Sequence, residues 1–299
     1  MPERDPEAEV RACYATWSER YHSEYYGPDA AYPPIHRDLV VDLLRASGAT
    51  TVLDAGCGPA SFLREIRAEP VELYGFDLTP EMVAEARRVL ETDRRIWQGS
   101  VLDPSAFRCP DEPDLRFDAA LSIGVLPHVP QGADARVFIH LRDAVRPGGL
   151  VIASARNQLF GLFTLNRYSH DLFRDELIRA DDLAAQADDE ERAGLKRALA
   201  SLEERFRMDL PPRRAGYEKE PGYDEVLSRT HNPFVLRRHA EDAGLTDVRV
   251  LFYHYHALPP MLEAEAPGLF RRASLAMEDP DDWRGYVMAS AFLVAGRRP

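Results

Sequence analysis

The stretch VLDAGCGPAS, Val52 to Ser61, sets two glycines two residues apart after a β-branched lead-in, with Asp54 two residues before the first. A glycine turn between strand and helix lets the backbone approach a ligand closely, and the helix N-terminus favours negative charge. Two ligand classes suit such a turn. A dinucleotide places its pyrophosphate there and prefers a third glycine, where this chain has Ser61. A carboxylate at the strand end instead suits a ligand carrying an ammonium group. A second acid, Asp77, closes the run ELYGFDL. Singly, either acid could simply cap the next helix; at successive strand ends of one sheet, the pair reads as a ligand site.

Nine histidines compete for acid–base work near neutral pH. His128, in GVLPHVP, is read as structural, cofactor-shaping or catalytic. His254 and His256, in FYHYH, would share one face of a strand with Tyr253 and Tyr255 on the other. No third ligand is evident nearby, so they are expected to line a substrate pocket or act as bases, with no metal. His170 sits beside Asn166 and Tyr168 in an aromatic stretch, while His22, His140 and His239 read as exposed helix positions.

The elements that must position these groups follow from periodicity. Residues 8–21 and 36–45 read as helical, separated by GPDAAYPP. From Thr50, short apolar runs alternate with amphipathic segments. TVLDAG, ELYGFDL, RIWQGSVLD, FDAALSIG and LVIASA are expected strands; ASFLREIRA, TPEMVAEARRVLE and ADARVFIHLRDAVRPGG are expected helices. Thr79 is placed as N-cap of the second of these, with Pro80 at its first position. After Ala155 the alternation stops. An aromatic stretch, LFGLFTLNRYSHDLF, leads into a helix in which Leu195, Leu199, Leu202 and Phe206 recur at helical spacing. A helix from Pro233, the strand DVRVLFYHYH, a helix over 264–277 and the strand YVMASAFLVAG then complete seven strands. The expected fold is α/β: a doubly wound, Rossmann-like, mostly parallel seven-stranded sheet with an N-terminal helical lid and a helical cap insertion. Its parts are a lid over 1–47, a ligand-binding core over 48–156, a cap over 157–231 and the rest of the core sheet over 232–299.

In this order, DAGCGPA, FDLT, GSVLD, LSIGVLPHV and VRPGGL resemble the class I S-adenosylmethionine-dependent methyltransferases. The resemblance covers residues 48–156 and implies S-adenosyl-L-methionine as cofactor. By that resemblance Gly56, Cys57 and Gly58 line the methionine moiety, with Asp54 near its amino group. Asp77 accepts from both ribose hydroxyls; Leu78 and Met82 pack near the adenosine; Val101 and Leu102 flank the adenine; Ile123 sits beside the methyl. Many relatives carry an acid where this chain has Ser100, to receive the adenine amino group, so Ser100 or Asp103 is left to take that contact. The N-terminal aromatics Tyr14, Trp17, Tyr21, Tyr25, Tyr26 and Tyr32 resemble the tyrosine-bearing lids of relatives, with Tyr21 toward the cofactor and Tyr25 toward the acceptor. Asn157, Tyr168 and His170 are the expected substrate contacts. LFGLFTLNRY could be a pocket wall or a homodimer contact.

Composition narrows the acceptor. A net charge of −13 argues against broad binding of nucleic acid or anionic membrane. No apolar run is long enough for a bilayer, and the N-terminus is too charged for a signal peptide. Three separated cysteines with no CxxC make a reducing cytoplasm the default. The signatures of nucleobase, arginine and metal-dependent catechol methyltransferases are missing. A small soluble hydroxyl or amine acceptor, from a metabolite, sugar or natural-product intermediate, is the expectation. A nicotinamide oxidoreductase and a non-catalytic cofactor-binding scaffold are the rival classes.

Overall fold

The computed structural model describes residues 5–28, 30, 33–210, 221–222 and 225–299. Tyr32 and the loop over 211–220 lie outside these residues. A seven-stranded sheet runs in the order β3-β2-β1-β4-β5-β7-β6. Its strands are β1 Thr51–Ala55, β2 Glu72–Asp77, β3 Ile96–Gln98, β4 Phe117–Ser122, β5 Val145–Arg156, β6 Thr246–Tyr255 and β7 Ala289–Arg297. The first five pair in parallel. β7 runs antiparallel to β5, with Gly148 N–H donating to Arg298 at one end and Asn157 N–H to Ser290 at the other. The alternation of apolar runs and helices thus produced the expected doubly wound sheet. β1 lies between β2 and β4, and four of its five residues are buried, as a strand covered on both faces requires.

The described residues form two compact units. The first holds residues up to 156, those between 221 and 251, and those from 292 onward. It carries α1 Pro6–Ala15, α2 Tyr21–Tyr26, α3 Ile35–Ser47, α4 Ser61–Glu65, α5 Pro80–Leu90 and α6 Asp134–Ala144, then the helix Pro233–Asp242. α1 opens on Asp5, whose side chain accepts from Glu7 N–H at 3.1 Å, and on Pro6. Asp118, at the start of β4, accepts from the Thr50 and Thr51 N–H groups at 2.7 and 3.1 Å and from Arg146, tying the strand starts together. Thr79 stands at the N-cap of α5 with Pro80 following, as expected, though its side chain makes no cap bond; its own N–H is held at 2.9 Å by Asp77 Oδ1, so the acid two residues upstream orders this turn.

The second unit joins residues 157–210 to 252–291, so its boundaries differ from those the sequence suggested. Its longest helix, Asp189–Glu203, starts with a capping box between Asp188 and Glu191. The Leu195, Leu199 and Leu202 stripe is only half-buried. Asn157 Nδ2 donates to the carbonyls of Gly285, Tyr286 and Ala289 at 2.8–3.1 Å, fixing the short helix Gly285–Met288 in place of the first residues of the last expected strand.

Candidate active site

Gly56 and Cys57 turn the chain at the end of β1, both donating their N–H groups to Phe76 O at 2.8 and 2.9 Å. Gly56 has φ 83°, and a Cβ there would collide with the Val125 side chain. Only glycine meets both demands. Gly58 also has positive φ, at 54°, but its Cβ direction is open. Cys57 is buried and packs on Gly75, where a Cβ would come within 3.0 Å of its sulfur. Burial pushes its thiol well above the ordinary value, so it is an inert turn residue outside the cavity lining.

A cavity opens beside this turn. Its walls come entirely from the first unit. Gly56 and Gly58 form one side; Asp77, Leu78, Thr79 and Met82 the next; Gly99, Val101 and Leu102 the third; and Ile123 to Val125 with His128 the fourth. Glu7, Val10, Tyr14 and Tyr21 close it from the N-terminal helices. Of the sequence-derived site residues, Tyr21, Gly56, Gly58, Asp77, Leu78, Met82, Val101, Leu102, Ile123 and His128 meet here.

One acid, Asp77, lines the cavity; a second, Asp54, is buried in β1 and is not part of the lining. Asp77 accepts from Gly58 N–H at 2.8 Å and from Thr79 N–H at 2.9 Å, so it ties the glycine turn to the end of β2. Burial raises its pKa, opposed by those same donors. The Thr79 side chain and the Leu78 N–H also act on this carboxylate, so it is held at the cavity wall by the turn around it. Asp54 is 2% exposed, and its Oδ1 has no hydrogen-bond partner. Burial, then the charge of Asp77, pushes its carboxyl up to about 8. An orphaned buried carboxyl is costly, and a ligand's ammonium group would relieve it. Tyr21 feels the charge of both acids and titrates well above its ordinary range, chiefly through burial.

His128 uses both ring nitrogens. Nδ1 faces the Leu227 carbonyl at 2.7 Å and must donate to it, leaving Nε2 to accept from the Tyr14 hydroxyl at 2.9 Å. Burial lowers its pKa to about 4, against the opposing bond to Leu227. The imidazole is therefore neutral near pH 7 and holds Tyr14 at the cavity wall. Trp17 and Met82 form a small core against which Tyr14, Tyr21 and Tyr25 pack. The N-terminal aromatics thus both pack and line; Tyr25 belongs to the packing, 4.6 Å from Tyr21 between ring centroids.

Several expectations are not met. Ser100 does not line the cavity: its hydroxyl donates to Glu7 Oε1 and accepts from Leu102 N–H at 3.0 Å. His140, expected to be exposed, is buried, with Nδ1 3.1 Å from the Val101 carbonyl. His254 and His256 and the substrate candidates Asn157, Tyr168 and His170 lie in the second unit, while Tyr25 lies in the first. His254 has φ 58°, which breaks the strand alternation, so Tyr253, Tyr255 and His256 are all buried instead of alternating. His256 packs on Phe160 and Phe270, and burial lowers its pKa to about 4. Asn157 spends its amide on three carbonyls. Tyr168 is 47% exposed under Arg167, and His170 is paired with Asp171 at 3.0 Å. Among the described residues no cluster of metal-ligating side chains occurs, and no helix is long and apolar enough to cross a membrane.

The sequence reading missed Glu7 and Val10 and placed Tyr14 only in the N-terminal lid. The spacing of three and four from Glu7 through Val10 to Tyr14 marks one face of α1 and was the available signal.

Residues 52–149 match a family described as "Methyltransferase domain". Two curated proteins align with this region. The ubiquinone biosynthesis O-methyltransferase of Alkalilimnicola ehrlichii is 27% identical over 144 residues, covering 46% of this chain and 56% of that one. Its namesake from Serratia proteamaculans is 30% identical over 149 residues, covering 47% and 59%. The chain therefore spans somewhat more than half the length of these curated relatives. Among solved structures, magnesium protoporphyrin IX methyltransferase from Synechocystis with bound SAM superposes over 100% of both chains, with TM-score 0.50 and 14% identity. That likeness concerns the fold.

Proposed function

We propose that this chain is a class I S-adenosylmethionine-dependent methyltransferase that moves a methyl group to a hydroxyl of a small molecule, a reading supported by the match of residues 52–149 to a methyltransferase domain family. The observation that carries the reading is the pair of acids at successive strand ends beside a glycine turn. Asp77 lines the cavity at the end of β2, and Asp54 is a buried carboxyl with an unmatched oxygen. A nicotinamide dinucleotide would bring a pyrophosphate to this turn, and an acid there opposes it.

When bound, S-adenosylmethionine supplies an activated methyl on a sulfonium, whose leaving group is a neutral thioether. Asp77 and Asp54 would hold its ribose and amino groups, with Leu78, Met82, Val101 and Leu102 around the adenosine and Ile123 near the methyl. No acid is needed for the leaving group, so the protein's main task is alignment. Tyr14 and Tyr21 exclude water from this wall. His128, neutral and costly to protonate, acts as a positioning residue that fixes the Tyr14 hydroxyl. The choice of a hydroxyl acceptor is supported by the two curated relatives, both O-methyltransferases by name. The negative overall charge supports a small acceptor over nucleic acid.

The test is a screen of alcohols and phenols with methyl-deuterated cofactor, read by mass spectrometry. A product carrying the labelled methyl on oxygen, absent with Asp77→Ala, is expected. Labelled methyl on nitrogen alone across a mixed panel would contradict the choice of acceptor.

A further inference from the structure

We propose that Glu7, in the first turn of α1 and anchored by Ser100, is the acceptor for the exocyclic amino group of the cofactor's adenine. The inference rests on the cofactor assignment and adds a residue to it.

The wall formed by Gly99, Val101 and Leu102 is where a base would lie if Asp77 holds the ribose, because it follows β3, the neighbour of β2 in the sheet. The side chains of this segment that could accept from a base, and the Val101 carbonyl, are already committed. The Ser100 hydroxyl gives its one proton to Glu7 and accepts from Leu102 N–H at 3.0 Å. The Val101 carbonyl faces His140 Nδ1 at 3.1 Å. Asp103 is exposed and caps the next turn through Ser105 N–H at 2.9 Å. Glu7 lines the cavity beside this segment, and its carboxylate meets Ser100 there. It accepts about four hydrogen bonds and donates none when ionised, and Ser100 occupies one of its sites.

An acceptor-only group discriminates between purines. The amino group of adenine is a donor and pairs with it; the carbonyl of hypoxanthine at the same position presents oxygen to oxygen and is repelled. Ser100 has a positioning role, since its hydroxyl holds the carboxylate against the wall. Because Glu7 lies in α1, one side chain would join that helix to recognition of the base. The backbone there is itself ordered, with Glu7 N–H on Asp5 at 3.1 Å.

Calorimetric titration with S-adenosylhomocysteine and its deaminated analogue, S-inosylhomocysteine, tests this on the wild type, Glu7→Gln, Ser100→Ala, the double variant and Asp77→Ala. The wild type is expected to prefer the adenine ligand by about tenfold to a hundredfold, the worth of a charged hydrogen bond. Glu7→Gln, whose amide can donate to the inosine carbonyl, should erase or invert that preference. Ser100→Ala should weaken the adenine ligand, and the double variant should bind it no worse than Glu7→Gln alone. Binding that depends on Asp77, with the preference intact in Glu7→Gln, would overturn this inference alone. A wild type that binds neither ligand would overturn the cofactor assignment together with it.

Discussion

The clearest consequence of the site's electrostatics concerns Asp54. Its carboxyl sits at 2% exposure with Oδ1 unpartnered, and burial next to Asp77 raises its pKa to about 8. The folded value lies above the unfolded one of about 4. Asp54's contribution to stability is therefore fully present below about pH 4 and is lost as pH rises through about 8. Between those limits the native state binds one more proton than the unfolded state. The ligand-free protein should lose up to about 1.4 kcal/mol per pH unit on this account, which the isosteric Asp54→Asn should not. Urea titrations of both proteins from pH 5 to 9 measure the difference directly. Binding reverses the sign. An ammonium group beside Asp54 favours the carboxylate, so S-adenosylhomocysteine should expel a proton below pH 8 and bind more tightly as pH rises toward that value. Calorimetry in buffers of different ionisation enthalpy at pH 6.5 should report up to about one proton released per ligand by the wild type and about none by Asp54→Asn. Proton release near zero in both proteins, with parallel stability profiles, would refute the reasoning.

The glycine turn gives a contrast between neighbours. Gly56→Ala adds left-handed strain of about 1–2 kcal/mol and an overlap with Val125 of about 1–3 kcal/mol, whereas Gly58→Ala adds the strain alone. Denaturant titration should rank them in that order; equal losses would contradict it. Replacing His128 by Gln should lower kcat less than a hundredfold, below the range for loss of a strong general base, about a hundredfold to ten-thousandfold. Since His128 titrates near 4, the wild-type kcat profile should show no histidine inflection between pH 5 and 8. An inflection near pH 6.5 that vanishes in His128→Gln would make His128 the base.

The sheet was legible because its information is local. Each inner strand is a short apolar run ending at a glycine or acid, and the Gly56–Gly58 turn follows from backbone conformation alone. Asp54 and Asp77 were readable for the same reason: strand ends in this architecture point at a site, whatever the rest of the chain does. What escaped depends on contacts between distant segments. Ser100 was read as a ligand contact, yet a partner 93 residues away, Glu7, takes its hydroxyl. Thr79 takes the N-cap position its type suggests, yet its side chain makes no cap bond, and its N–H goes to Asp77. His254 and His256 should alternate with their tyrosines, and a single positive φ at His254 undoes the period. Asn157 carries a polar side chain beside an aromatic run, and the carbonyls that consume it come from residues 285–289. Periodicity fixes which face a residue occupies, and long-range packing decides what that face meets.

The most direct test of the central claim is calorimetric titration of the protein with S-adenosylhomocysteine, with NADH in parallel and Asp77→Ala as control. Micromolar binding of S-adenosylhomocysteine, abolished by Asp77→Ala and with no heat from NADH, is the predicted result. Binding of NADH without S-adenosylhomocysteine, or binding of neither, would contradict the account.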